Sequence, residues 1–259
     1  MASHVTKKRK RRGAVAPTPY PNAPIKEAII DIRVKLPDTT TLADLTHGLD
    51  SSFHEAYPSR SDFFLFKGHF SAGTQVAATA SQTQGGYRFI SKDRIRVIQW
   101  RLDGFTLSRL APYDRWDTFQ SEARRLWDLY RSTLSPTAVM RIAVRYINQI
   151  NIPHPRVELK DYFRTGPEIS PDLEQRVEAC FMQVQIPQDD LKAKLSITQT
   201  LIPPSAPETA SVLLDIDLFR TEDLPTTEED MWSMLGKFRK RKNQAFEACI
   251  TKKTRRLFY

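Results

Sequence analysis

From Met140 to Ile152 the chain reads MRIAVRYINQINI, and Ile142, Val144, Tyr146, Asn148, Ile150 and Ile152 recur at every second position. Successive side chains of a strand point to opposite sides, so this period predicts a long β-strand with one buried face. Arg141 and Arg145 fall on the other face. An apolar sheet face needs a covering layer, and helices over a largely antiparallel sheet are the economical solution. Asn148 then stands among apolar neighbours, where an amide needs hydrogen-bond partners, and it reads as a structural anchor.

The remaining segments fit the same plan. Ala28, Ile30, Ile32, Val34 and Leu36 alternate in a half-buried strand, and Thr41 with Asp44 resembles a capping box ahead of Leu42, Leu45, Leu49 and Phe53. That spacing predicts a first helix over 41–56. Short strands follow at Phe63–Phe66, Gln75–Ala80, Tyr87–Ile90, Arg94–Trp100 and Phe105–Leu110, broken at Gly68, Gly73, Gly85-Gly86 and Asp103-Gly104. The Asp-Gly pair signals a tight hairpin. Trp116, Phe119, Leu126, Trp127, Tyr130 and Leu134 form a helical stripe across 114–134, ended by Ser135-Pro136, and read as core.

After a loop at 153–178 with a short helix near 172–179, strands are expected at 180–186, 194–202 and 211–219. Thr226 with Glu229 opens a long helix to Phe258, with Met231, Leu235, Phe238, Ala245, Phe246, Cys249 and Ile250 as its apolar stripe. Its cations Lys237, Arg239, Lys240, Arg241 and Lys242 are assigned mostly to positions off that stripe. The expected fold is therefore α+β: a largely antiparallel sheet covered by helices, with a long C-terminal helix. Residues 1–24 form a basic, proline-rich arm expected to be disordered, and 25–259 a single α+β domain, whose two halves could join near 140–152. No internal sequence repeat marks such halves.

Charge is concentrated at the two ends. Lys7, Lys8, Arg9, Lys10, Arg11 and Arg12 are an unbroken run, and Lys237–Arg256 holds nine cations against one acid. Removing those six and the C-terminal surplus of eight from the net +9 leaves the rest at −5. Clustered cations attract phosphates or acidic partners, so these eleven residues, Lys7–Arg12 and Lys237, Arg239, Lys240, Arg241 and Lys242, are the candidate nucleic-acid or partner-binding set. No apolar run reaches the length of a membrane span and no apolar stretch follows the first cations as in a signal peptide, so a cytoplasmic protein without membrane contact is expected.

Chemistry-bearing residues are sparse. Asp215 and Asp217 share one face of LLDIDLF, and paired carboxylates can hold Mg²⁺ or divide acid and base roles, though a charged outer sheet face explains them equally. His47 and His54 would lie two turns apart on the first helix, too far to share a metal without a third ligand, and His54 with Glu55 and Tyr57 is a weak proton-transfer candidate. Arg94, Arg96, Arg141 and Arg145 near Tyr87, Phe89 and Trp100 suggest either an RNA platform or, more simply, a solvated face paired with acids. Cys180 and Cys249 lack metal-site spacing and read as buried free thiols. No nucleotide-binding or nucleophile motif occurs, so no cofactor, no metal and no identified catalytic residue are expected.

Several segments together resemble a sporadically distributed family of uncharacterised bacterial proteins of about this length. They are Pro24-Ile25-Lys26-Glu27-Ala28, Arg141…Arg145-Tyr146-Ile147-Asn148 with Ile152-Pro153, Asp161-Tyr162-Phe163, Leu214-Asp215-Ile216-Asp217, and Asn243-Gln244-Ala245-Phe246-Glu247 with Ile250-Thr251. The family brings no established activity, so no site residue is carried over. Its sporadic distribution resembles that of mobile accessory genes and implies a defence, toxin–antitoxin or immunity setting. The expected function is a non-enzymatic binding protein that holds a protein partner through its sheet face and basic C-terminal helix. The alternatives are a nucleic-acid-binding protein using the basic arm and helix, and a metal-dependent enzyme using Asp215 and Asp217.

Overall fold

A computed structural model describes residues 20–72, 76–155, 157–175 and 177–259. Nine strands run in chain order as β1 Ile25–Lys35, β2 Ser59–Ala72, β3 Val76–Ile90, β4 Arg96–Arg101, β5 Gly104–Leu110, β6 Ala138–Ile152, β7 Phe181–Gln188, β8 Ala193–Ile202 and β9 Ala210–Arg220. They form one sheet in the order β2-β3-β4-β5-β1-β6-β9-β8-β7, antiparallel at every pairing. Five helices accompany it: α1 Ser51–Ala56, α2 Trp116–Leu134, α3 Leu159–Tyr162, α4 Glu228–Cys249 and α5 Lys252–Arg256. This is the α+β architecture that the alternating segments predict. The basic run Lys7–Arg12 lies outside the described residues, as does the turn expected at Gly73.

Read outward from the central β1–β6 pair, the order is the same on both sides. β1 is flanked by β5, β4, β3 and β2, and β6 by β9, β8 and β7, so each side ends its meander next to its own first strand. Each side also closes with a long helix, α2 or α4.

These two helices lie together. Gln120 Nε2 donates to the Trp232 carbonyl at 2.9 Å, and the ion pairs Arg124–Glu229 and Arg131–Glu228 measure 2.9 and 2.6 Å. Beneath them the core gathers Ile30, Ile32, Phe105, Ile142, Val144, Ile216 and Leu218 from the strands with Trp127, Tyr130, Leu235 and Phe238 from the helices, all buried. Full burial of one such side chain contributes about 1.5–3 kcal/mol. Phe53 adds a lid over β4, stacked on Trp100 at 5.2 Å and 9°.

Five local expectations fail. The helix over 41–56 is interrupted: a short 3₁₀ turn, Asp44–Thr46, ends before Gly48 at φ +80°, and Asp50 restarts the chain as the N-cap of α1 by accepting from Phe53 N at 2.8 Å. Gly85 and Gly86 do not divide two strands but lie inside β3, where a Cβ on Gly86 would stand 2.1 Å from the Trp100 carbonyl oxygen. No helix forms among the described residues of 172–179, and α3 forms earlier, at Leu159–Tyr162. The C-terminal helix stops at Ile250, which turns extended to bridge Phe163, and Thr251 caps α5 by accepting from Lys253 N and Thr254 N. The α4 cap also sits one residue later than expected, at Thr227, which accepts from Asp230 N at 3.1 Å.

Gly104 opens β5 at φ +151°, and a Cβ there would meet Ile32 O at 2.4 Å and Arg33 Cα at 2.9 Å. The Asp-Gly glycine thus serves the close approach to β1, while Leu102 and Asp103 form the turn. We expect G104A to cost about 2 kcal/mol or more, by forcing β5 away from β1. G166A, which meets open space, should stay within about 0.5 kcal/mol in urea unfolding.

Candidate functional site at Lys242

The cations of α4 go to different places. Lys237 and Lys240 are exposed; Arg241 donates to Gln188 and to Asp190 beyond β7; Arg239 is half-buried. Lys242 is only 5% exposed. Its assignment off the apolar stripe is therefore corrected: Leu235, Phe238, Lys242 and Phe246 follow helical spacing and share one buried face. The signal was in the sequence, because a lysine four residues after one core phenylalanine and four before another sits on the stripe itself.

Lys242 projects onto β6, where its Nζ lies 3.4 Å from the centre of the Tyr146 ring. Tyr146 reaches this face by the alternation that also buries Val144 and Asn148. The Tyr146 hydroxyl meets that of Tyr113, from the segment between β5 and α2, at 2.8 Å. Asn148 is the anchor expected, its Nδ2 donating to Leu214 O at 3.0 Å and Tyr146 O at 3.3 Å.

A cavity of about 390 Å³ opens here, bounded by Tyr20, Pro24 and Ile25 ahead of and within β1, Tyr113 and Trp116 before and in α2, Tyr146 and Asn148 on β6, and Arg239, Lys242, Phe246 and Glu247 on α4. Glu247 is already engaged: it accepts from Tyr20 at 2.6 Å and from Arg255 Nε at 2.7 Å. Asp114 and Asp117 sit at the exposed rim. Lys242 has no carboxylate at ion-pair distance among the described residues, and neither has Arg239.

Burial, and after it the positive charge of Arg239, push the Lys242 ammonium down from 10.5 to about 7. Burial likewise holds Tyr146 well above the usual phenol range and raises Tyr113, so both hydroxyls stay protonated at neutral pH. Tyr20 is pushed up to about 12, by burial and then by Glu247.

The opposite sheet face carries a different arrangement. Asp31 accepts from four groups: Arg101 Nη2 at 3.0 Å, Thr106 Oγ1 at 2.7 Å, Arg33 Nε at 3.2 Å and Arg141 Nη1 at 2.7 Å. Arg141 also donates to Asp217 at 2.7 Å, and Arg145 makes two-point contact with Asp215 at 2.5–3.0 Å. The Asp215/Asp217 pair is thus occupied by arginines, and Arg141 and Arg145 are paired with acids. Among the described residues no cluster of His, Cys, Asp and Glu is arranged to hold a metal.

Burial opposes the charge of Asp31, yet Arg101, Arg33 and Arg141 more than offset it and hold the carboxyl below its usual range. Asp217 goes the other way: burial dominates Arg141 and Arg145, its Oδ1 is buried without a partner, and its pKa is raised.

Other sequence candidates do not assemble. His47 ends the 3₁₀ turn and His54 lies in α1, so the two share no helix; the Tyr57 hydroxyl donates to Glu122 at 2.8 Å, leaving His54 and Glu55 exposed and apart from it. Arg94 lies in a turn at φ +61°, and Arg96 pairs with Asp93 and Glu122. Cys249 is a buried free thiol and Cys180 a half-buried one. Among the described residues no helix is long and apolar enough to cross a membrane.

No known protein family's sequence profile matches the chain, and no curated protein matches it significantly in sequence. The geometry alone therefore carries the functional reading. Of the segments behind the family resemblance, three meet at the cavity through Pro24 and Ile25, Tyr146 and Asn148, and Asn243, Phe246 and Glu247.

The buried lysine has a signature in stability. Between about 7 and 10.5 the unfolded chain holds a proton at Lys242 that the folded chain has lost, so stability rises with pH across that window. Relative to K242M, wild-type stability should climb by up to about 1.4 kcal/mol per pH unit there, with K242M the more stable below pH 7. Parallel urea-unfolding profiles of the two proteins would contradict the assignment.

Proposed function

We propose that the protein is a binding protein for a small organic anion with an aromatic or otherwise apolar body, held in the cavity between β1, β6, α2 and α4. One observation carries the reading: Arg239 and Lys242, three residues apart on α4, face the cavity with no acid partner among the described residues. A carboxylate or phosphate would pair with Arg239, since an anion against a guanidinium forms the stronger class of hydrogen bond, and Lys242 borders the same space. Trp116, Phe246, Pro24 and Ile25 supply apolar wall for the rest of the ligand. The acids that could compete are either engaged, as Glu247 is, or out at the rim.

We propose with it a cytoplasmic accessory role in a bacterial defence or toxin–antitoxin system, the setting implied by the family resemblance. A protein partner would be met through Lys237 and Lys240, the α4 cations left exposed. A purely protein-docking role for the sheet face draws less support, because its arginines are satisfied within the chain.

2-Naphthoate should bind at least about tenfold more tightly than its neutral amide, as one charge-assisted contact contributes about 1.5–3 kcal/mol. R239Q should remove most of that preference in a fluorescence titration. Equal binding of acid and amide would contradict the reading. Salt-steep nucleic-acid binding by a chain lacking residues 1–19, which keeps Tyr20 and Pro24 in the cavity wall, lost when Lys237 and Lys240 become glutamine, would move the protein to the nucleic-acid class.

A further inference from the structure

We propose that Lys242 captures a carbonyl carbon of the bound ligand as a Schiff base, so that the cavity takes an aldehyde or ketone that also carries an anionic group. The inference rests on the anion-binding reading and deepens it. Its geometric basis is the position of the amine. Lys242 stands in the cavity wall on a long helix, has no carboxylate among the described residues to keep it as an ammonium, and is shielded from bulk water. A lysine held in an ion pair is a poor nucleophile, whereas one desolvated beside another cation is an activated one.

The charged and titratable groups that face Lys242 can be followed element by element. Its own helix brings Arg239, one turn away, which lowers its proton affinity. β6 brings the Tyr146 ring, and the segment before α2 brings Tyr113, whose hydroxyl is bound to that of Tyr146. Asp114, Arg115 and Asp117 lie at the rim and are exposed. Glu247 is held by Arg255 and Tyr20. With its proton affinity down to about 7, a large share of Lys242 is a free amine at neutral pH.

The chemistry balances without an oxidant or reductant. The nitrogen lone pair forms a C–N bond as the carbonyl π pair moves to oxygen, and that oxygen takes up a proton while the nitrogen releases one. The carbinolamine hydroxyl takes up a second proton and leaves as water while the nitrogen lone pair forms C=N, and the protonated imine then releases its N–H proton, so that no proton is consumed overall. The Tyr113–Tyr146 hydroxyl pair, protonated at neutral pH, is placed in the same cavity to hydrogen-bond the departing oxygen, and Arg239 fixes the anionic end of the ligand. Capture is reversible, as a binding protein requires.

The test uses the full chain with 4-formylbenzoate and sodium cyanoborohydride, which reduces the imine to a stable secondary amine, followed by peptide mapping by mass spectrometry. At pH 7.5, Lys242 should be labelled at least tenfold faster than the exposed Lys237 of the same helix, and this ratio should fall as pH rises towards 10 and ordinary lysines lose their protons. Labelling of Lys242 no faster than Lys237 would overturn the inference. Terephthalate, which binds as an anion but cannot form an imine, should protect Lys242. If terephthalate binds while Lys242 stays unlabelled, capture is wrong and the anion reading stands. If benzaldehyde labels Lys242 as fast as 4-formylbenzoate does, capture stands and the anion reading falls. The wild-type labelling pattern decides the matter without any variant that would have to fold.

Discussion

The antiparallel pairing of β1 with β6 is the contact on which both faces of this protein depend. Its register sets Ile30 opposite Val144 and Asp31 opposite Ala143. Because side chains alternate, the same register turns Ala28, Ile30, Ile32, Val144 and Tyr146 towards α2 and α4 and turns Asp31, Arg141 and Arg145 away from them. A slip by one residue would drive two arginines under the helices and leave Asp31 among apolar groups, so the register is strongly specified. Both outer sets of strands then follow from this pair: β5, β4, β3 and β2 on one flank, and β9, β8 and β7 on the other.

The two faces treat charge in opposite ways. On the outer face Asp31 has a donor on each side of both oxygens, and Arg141 is shared between Asp31 and Asp217. Around Asp31 the arginines offset the desolvation; removing one of them would leave a buried charge uncovered, which typically costs about 3–5 kcal/mol. On the helix side Lys242 has no compensating carboxylate among the described residues. The Tyr146 ring face returns about 2 kcal/mol or more for a desolvated cation, and burial with Arg239 still weakens its proton affinity. A fold that only needed to fill this position could have placed a methionine or leucine there. An amine kept dry, without a carboxylate and next to a cavity is the feature on which the proposed binding role rests.

Much of the fold was legible in the sequence because it is written at period two. β1, β6, β8 and β9 appear within a few residues of their observed bounds, and the α2 stripe from Trp116 to Leu134 is buried as its spacing predicts. The misses have local causes. Gly48 and Asp50 break an apolar pattern that is otherwise helical, Gly85 and Gly86 serve close packing rather than a turn, and Ile250 leaves the helix to pair with Phe163. The outer ion network was half visible: Asp215 with Asp217 and Arg141 with Arg145 are each on one face by alternation, but only the β6–β9 register puts Arg145 opposite Asp217. The cavity was the least legible part. Lys242 stood on a readable stripe inside a run of cations that drew it to the surface, and Tyr113 comes from an irregular segment whose path no periodicity reveals.

The central claim is that Lys242 is an unpaired, desolvated amine, and its titration tests this most directly. In protein carrying ¹³Cε-labelled lysine, with K242M assigning the resonance, the Lys242 signal should move with a midpoint near 7, well separated from the other lysines. A Lys242 midpoint in the ordinary range near 10.5 would mean that the side chain reaches water or an acid, and the account of the cavity would fail with it.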